Sequence, residues 1–378
     1  MIPLSLPHIA GNEWKYVKDC LDTGWVSSVG AYVTQFENMV AEYAGAKYGV
    51  ACVNGTNAIH IALMLAGVKQ DDYVIVPNIT FIASANAIKY TGANPILIDV
   101  NGQDWQMDLD ILERFLSTET ILKDGKCFLK SDNRCISAIL PVHVLGNIGN
   151  VERLIQIAEK YAIEVVEDST EALGSTFNGQ HAGTFGRIGT FSFNGNKIIT
   201  TGGGGVIVTN NEDIAKKAKH LTTQAKADPF EYYHDEIGYN YRLVNILAAM
   251  GVAQMEQLPE FIRRKKRMDA TYRKELNGIG DIEFQEVNNA VDHNCWLVTI
   301  KTSRSKELLK YLNERQIQSR PFWVPMNQLP MFKEDIYVQN KDISKTVYEN
   351  CLSIPSSVGI TDNQLNEVIE AIKTFYKA

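Results

Sequence analysis

Phe191-Ser192-Phe193-Asn194-Gly195-Asn196-Lys197, running on through Ile198-Ile199-Thr200-Thr201 into the four glycines Gly202 to Gly205, is the stretch whose reading decides the fold. An apolar, aromatic run delivers one amine into a segment of small and polar residues. A lysine that is desolvated, or held near other positive charge, falls in pKa and becomes a nucleophile for carbonyl carbon. The alternative is a solvated surface lysine beside a flexible glycine loop, which is the common state of lysine. The residues around it have to decide between the two.

Working outward, the chain alternates between two hydrophobic periods. Asn12 to Leu21 reads as a helix ending at Gly24, and Val33, Phe36, Val40 and Tyr43 form the stripe of a second, closed by Gly45. Short apolar runs at 49–53, 73–76, 95–100, 136–140 and 163–167 predict buried strands. Helices are expected from about 55 to 66, 82 to 90 and 150 to 161. Strands interleaved with amphipathic helices predict an α/β fold with a mostly parallel sheet covered on both faces. Phe185 to Phe193 and Gly205 to Thr209 add two strands flanking Lys197.

The texture changes after about residue 250. A long polar helix over 256–276, strands at 282–284 and 295–300, and helices over 306–315 and 362–376 predict a smaller α+β domain. The expected division is 1–250 and 251–378. The stretch 123–133, with its Asp-Gly and Asp-Asn steps, predicts a surface insertion.

Composition narrows the function classes. The 378 residues are 45% hydrophobic and 21% charged with a net charge of −7, an ordinary balance that argues against a generic nucleic-acid binder. The basic run Arg263 to Arg267 lies between apolar helix positions and reads as a solvated face. Six dispersed cysteines and seven dispersed histidines imply neither a disulfide framework nor a metal site, so no metal is expected. No segment is apolar for long enough to span a membrane, and the amino-terminal run is too short and proline-rich for a signal peptide. A cytoplasmic protein is expected.

In open α/β sheets ligands gather at the carboxyl ends of strands. Strand 49–53 ends in Asn54-Gly55-Thr56-Asn57 and turns at once into a helix. Gly55 permits close backbone approach, and a helix amino terminus with the Thr56 hydroxyl makes a phosphate seat, or else a plain cap. Strand 163–167 ends in Asp168, a carboxylate able to hold a protonated ring nitrogen, or again a helix cap; Glu171 follows three residues later. Neither GxxxxGK[ST] nor an early GxGxxG occurs, which disfavours nucleotide-hydrolysing and dinucleotide enzymes.

Taken in order, Asn54-Gly55-Thr56, Thr80-Phe81, Glu167-Asp168-Ser169-Thr170-Glu171 and the FSFNGNK run resemble the DegT/DnrJ/StrS family of sugar aminotransferases, from Gly11 to the last helix. The resemblance implies a three-layer, fold-type I pyridoxal-phosphate architecture and a homodimer with shared active sites. Lys197 would be the Schiff-base lysine, Asp168 the partner of the pyridine nitrogen, Phe81 the ring-stacking residue and Glu171 the neighbour of the ring hydroxyl, where many relatives carry Gln. Gly55, Thr56 and Ser192 would hold the phosphate, together with Asn240 reaching across from the neighbouring subunit. Met326-Asn327 stands where many relatives have a substrate-side histidine.

Within the family, Gly24-Trp25-Val26-Ser27-Ser28-Val29-Gly30, Asn194-Gly195-Asn196, the unbroken glycines and Arg320-Pro321-Phe322-Trp323 are closest to enzymes of the bacillosamine and legionaminic acid routes. That implies transfer of an amino group from L-glutamate to the C4 ketone of a UDP-linked 4-keto-6-deoxy-N-acetylhexosamine, with Trp25, Ser28, Asn194 and Arg320 on the substrate side. Rival readings are a 3-aminotransferase, an enzyme for a TDP- or GDP-sugar, and a sugar dehydratase. Related dehydratases replace the Schiff-base lysine with histidine, so Lys197 speaks against that one. A catalytically idle ligand-binding relative is a further rival, against which the intact Lys197, Asp168 and Ser192 set speaks.

Overall fold

The computed structural model describes residues 1–228 and 230–377. Its first half supplies α1 (Glu13–Thr23), α2 (Ala31–Ala44), α3 (Gly55–Leu65) and α4 (Ala83–Tyr90). The strands are β1 (Tyr48–Cys52), β2 (Tyr73–Pro77), β3 (Asn94–Ile98), the hairpin β4 (Thr120–Lys123) and β5 (Lys126–Leu129), β6 (Cys135–Ile139) and β7 (Glu164–Asp168). A second small hairpin, β8 (Thr176–Phe177) and β9 (Gln180–His181), precedes β10 (Ile188–Ser192) and β11 (Gly205–Thr209).

The large sheet runs β1-β11-β10-β7-β6-β2-β3 and ends on Ile336–Val338. Pairing is parallel from β10 to that last strand, while β11 lies antiparallel to both β10 and β1. Strands such as Tyr73–Pro77 and Gly205–Thr209 are buried at every position, as a sheet covered on both faces requires. Helix α3 is apolar nearly all round, with Ala58 to Leu63 buried, which is the mark of a helix inside the protein rather than on its surface. Two apolar clusters fill the sheet's two faces. One holds Phe36, Ile59, Phe191 and Phe193; the other is built on Ile75, Ile98, Leu112 and Ile139.

The expected mostly parallel, three-layer α/β architecture is therefore present. The smaller antiparallel sheet is Glu283–Phe284, Thr299–Lys301, Cys351–Ser353 and Arg320–Pro321, in that order. Helices Leu258–Leu276, Ser305–Glu314 and Asp362–Lys377 pack on it through Tyr272, Leu312 and Ile372. Among the described residues no helix is long and apolar enough to cross a membrane.

Four local expectations need revision. The run 295–300 is a strand only from Thr299; Cys295 has a positive φ of 55°, and the Trp296 amide is taken by the Asn294 side chain rather than by a ladder. The strand expected from Phe185 begins at Ile188, because the Phe185 and Gly186 amides donate to the buried Glu167 carboxylate. The long polar helix starts at Leu258 and follows a separate helix, Asn245–Met255. Finally, 123–133 contains a strand of the hairpin β4–β5: Asp124 and Gly125 turn with positive φ, while Cys127 and Leu129 are buried against the sheet.

Candidate active site

The carboxyl ends of β1, β7 and β10 meet the start of α3 and the edge of the small sheet around a cavity of about 390 Å³. Gly55, Thr56, Phe81, Glu171, Ser192, Asn194, Lys197 and Arg320 all line it. These residues come from five separate segments, so only the fold brings them together.

One side of the cavity is the first turn of α3. Asn54 caps the helix by accepting from the Asn57 amide at 2.8 Å, so the plain-cap reading holds for Asn54. The Gly55 and Thr56 amides at the first turn have no carbonyl one turn back to bond, and they carry the positive end of the helix dipole. Gly55 is required for packing: a Cβ there would sit 2.8 Å from the Ser192 Cβ. The missing side chain leaves helix amides and the Ser192 hydroxyl side by side. That donor set fits a phosphate monoester.

The opposite side carries the amine. The Lys197 amide donates to the Asn194 carbonyl, closing the turn that follows β10, and the Lys197 side chain is largely buried. Its Nζ lies 3.8 Å from Glu171 Oε1 and 4.2 Å from the centroid of the Trp296 ring. Burial pushes the Lys197 pKa below the ordinary lysine value, and the Glu171 and Asp168 charges pull it partly back. Glu171 is itself buried; loss of solvent lifts its carboxyl to about 7 despite the Lys197 charge and the Leu145 amide, which donates to Glu171 Oε2 at 2.7 Å. Leu145, in turn, is held at a positive φ of 61°, in a conformation unusual for a branched side chain.

Asp168 is buried behind the cavity rather than lining it. Its Oδ2 accepts from Ser84 Oγ at 2.6 Å and its Oδ1 from the Thr170 amide at 3.1 Å. The neighbouring Glu167 is occupied structurally by His143 and by the amides of Gly183, Phe185 and Gly186. Phe81 leaves about half of its surface open (54%), unlike a core phenylalanine.

Three sequence-chosen residues are not brought to this cavity within one chain. Trp25 and Ser28 line a different surface cleft, where Asn245 bonds the Trp25 carbonyl, the Ser27 carbonyl and the Tyr32 amide and so fixes the loop. Asn240 is exposed and bridged to Thr223. Asn327, at the departure from the family pattern, exchanges side-chain and backbone hydrogen bonds with Asn78 at 2.9 and 3.0 Å, and Met326 is buried. Trp296, Thr170 and Leu145 are site residues that the sequence alone did not reveal.

Together these features fit pyridoxal phosphate: a desolvated amine, a buried carboxylate behind the pocket, an open aromatic face and a phosphate-type donor set. One group of three metal-ligand side chains, His220, Asp235 and Glu236, lies away from the cavity lining.

Comparison with known proteins agrees. Residues 7–373 match the DegT/DnrJ/EryC1/StrS aminotransferase family. The GDP-perosamine synthase of Escherichia coli O157:H7 is 38% identical over 99% of this chain and 98% of its own. The UDP-N-acetyl-3-dehydro-alpha-D-glucosamine 3-aminotransferase of Acidithiobacillus ferrooxidans is 29% identical over 89% of this chain and 86% of its own. Among solved structures, DesV of S. venezuelae in complex with a ketimine intermediate superposes with a TM-score of 0.87 at 25% identity, covering 97% of this chain and 95% of that one. The chain belongs to the DegT/DnrJ/EryC1/StrS aminotransferase family and is a pyridoxal-phosphate-dependent transaminase of the nucleotide-sugar type.

Proposed function

We propose that the enzyme transfers the amino group of L-glutamate to the C4 ketone of a UDP-linked 2-acetamido-2,6-dideoxyhexos-4-ulose, in the cytoplasm. The observation that carries the assignment of roles is the convergence on one cavity of Lys197, Glu171, Ser192 and the bare first turn of α3. The sugar assignment rests on Asn194-Gly195-Asn196 and Arg320-Pro321-Phe322-Trp323. Asn194, Arg320 and Trp323 lie in the cavity wall beside Lys197.

When bound, pyridoxal phosphate supplies the carbonyl that takes up amines and the ring that accepts electrons during transfer. The Gly55 and Thr56 amides with the Thr56 and Ser192 hydroxyls would hold its phosphate, with Phe81 on the side of its ring and Glu171 near the ring hydroxyl. Asp168, fixed by Ser84 and Thr170, would balance a positive ring nitrogen. With the cofactor bound, the free Lys197 amine would take the proton from the donor's α-carbon and pass it to the cofactor within the first half-reaction. In the second it would take a proton back from the cofactor and deliver it to C4 of the sugar. Its depressed proton affinity leaves more of the amine in the free-base form that this role needs. Trp296 and Phe322 close the cavity on the small-sheet side, which keeps water from competing for the proton.

The working unit in this proposal is a homodimer. Asn240 is exposed in the single chain, as a residue serving a neighbour's phosphate would be. Trp25 and Ser28, in the separate cleft, would likewise complete the substrate side across the dimer. The division of labour follows the two parts of the chain, 1–250 for the cofactor and 251–378 for closure of the substrate side.

A second reading, a GDP-linked keto sugar, is favoured by the name of the 38%-identical relative. Incubating the enzyme with glutamate and a panel of UDP-, TDP- and GDP-linked 4-keto-6-deoxy sugars, followed by NMR of the products, tests the proposal. Amination of the UDP N-acetyl sugar at C4 with the highest kcat/KM supports it. Preference for the GDP or TDP sugar rejects it.

A further inference from the structure

Lys265 and Trp296 form a buried relay behind Lys197, and Lys265 has no part in the chemistry above. Lys265, in helix Leu258–Leu276, is 1% exposed with no acidic side chain bonded to it. Its ammonium donates to the Trp296 carbonyl at 2.7 Å and also to the Ser356 carbonyl. Two carbonyls are a costly environment for a buried charge, and burial lowers the Lys265 pKa to about 7. A leucine or methionine would fill such a place in an ordinary core more cheaply.

Trp296 is fixed on its other atoms as well. Its amide donates to Asn294 Oδ1 at 3.0 Å, and Asn294 Nδ2 is bonded to the Glu171 and Leu173 carbonyls. Its indole Nε1 donates to the Asn196 carbonyl at 2.8 Å, one residue before Lys197. The ring then presents its face to the Lys197 Nζ at 4.2 Å. An ammonium over an indole face is stabilised by the ring quadrupole, and most strongly when both are desolvated.

We propose that Trp296 is a positioning residue for Lys197, holding the turn through Asn196 and the ammonium through its ring, and that Lys265 fixes Trp296 in that place. The inference rests on Lys197 being the reactive amine. The indole face favours the charged form of Lys197 and so offsets part of the burial effect. It also gives the amine a fixed resting place when it is not bonded to anything. The charged groups that face Lys197 are Glu171 at 3.8 Å and, from the end of β7, Asp168. Cys295 is the titratable group beside Lys265, and its thiol is pushed up to about 12 by burial, so it stays neutral.

The test reads the proton affinity of Lys197 itself in full-length, cofactor-free enzyme, independently of which reaction is catalysed. Acylation of Lys197 by a small amine reagent is followed by peptide mass spectrometry across pH. In Trp296→Leu the labelling midpoint falls by about one pH unit, the size expected for loss of a desolvated cation–π contact. Trp296→Phe keeps a ring but loses the N–H, so less than half of that shift is expected. Lys265→Met moves the midpoint in the same direction as Trp296→Leu and adds nothing when the two are combined. If Lys265→Met does not fold, Lys265→Gln, which retains a donor, carries the same comparison. A midpoint unchanged in both Trp296 variants while Tm falls overturns the proposal, since Trp296 would then be packing alone. A shift in the Trp296 variants with none in a folded Lys265 variant removes Lys265 from the relay and overturns that half.

Discussion

Glu171 Oε1 stands 3.8 Å from Lys197 Nζ, and the two groups bend each other's proton affinities in a cavity that neither charge would enter alone. Burial raises the acid and lowers the base, so each moves toward its neutral form. Their mutual attraction opposes both shifts. The balance keeps an amine and a carboxyl close together, and the carboxyl changes protonation near neutral pH.

The stability of the cofactor-free enzyme should carry the signature of this pair. The folded pKa of Glu171 is raised from 4.5 to about 7, so its contribution is fully present below about 4.5 and lost as pH rises through 7. Lys197 has the opposite slope, because its lowered folded value makes the unfolded chain bind more protons. Glu171→Gln removes the first effect and enlarges the second, because the carboxylate no longer holds the Lys197 pKa up. Relative to wild type, the variant should gain Tm on going from pH 5 to pH 8. An equal Tm difference at the two pH values would show that Glu171 does not titrate in this range.

Gly55 is expected to control cofactor affinity rather than folding alone. In Gly55→Ala the new methyl meets Ser192 at 2.8 Å and must displace either the serine or the helix start. Overpacking of this kind costs about 1–3 kcal/mol, and here the displaced groups are the phosphate donors. A rise of roughly ten-fold or more in the Kd for pyridoxal phosphate, measured by absorbance titration, is predicted. Unchanged affinity would separate the first turn of α3 from the phosphate.

The four glycines after Lys197 should not be equivalent. A Cβ on Gly205 would lie 2.3 Å from the Asn54 carbonyl oxygen, and Gly202 has a positive φ of 83°. A Cβ on Gly203 would meet nothing nearer than the Val53 carbonyl at 3.6 Å. Gly205→Ala should therefore lose about 1–3 kcal/mol in urea unfolding, while Gly203→Ala stays close to wild type. Equal losses would mean that the loop is rigid for another reason.

Ser84 is expected to act through Asp168. Removing its hydroxyl leaves a buried carboxylate oxygen without the 2.6 Å donor. Hydrogen bonds to charged groups contribute about 1.5–3 kcal/mol, so Ser84→Ala should lower kcat/KM by roughly ten- to a hundred-fold with the fold intact by circular dichroism. Wild-type kinetics in that variant would show that Asp168 needs no such support.

The parallel sheet was legible because its strands are continuous apolar runs, and Asp168 and Gly55 were legible because strand ends in such sheets face ligands. Lys197 was legible as an amine following a strand. What escaped was contact between distant segments. Nothing local marks Trp296 as a wall behind Lys197; its ring reaches the cavity because Asn294, Lys265 and Asn196 bend the chain before the Thr299 strand begins. Leu145 in a left-handed conformation is equally silent in sequence. Ile336–Val338, three half-buried residues, was missed as a strand because so short a run has no period to read. Trp25 and Ser28 were chosen through resemblance, and in one chain they belong to another cleft.

Among the described residues two largely buried lysines have depressed proton affinities, Lys197 and Lys265, and of these two Lys197 opens onto the cavity. Borohydride reduction of the pyridoxal-phosphate-loaded enzyme, followed by peptide mapping, tests the central claim most directly. The pyridoxyl group is predicted on the peptide containing Lys197, with its disappearance and complete loss of turnover in Lys197→Ala. Label on Lys265 or another lysine, or transamination retained in Lys197→Ala, would contradict the account.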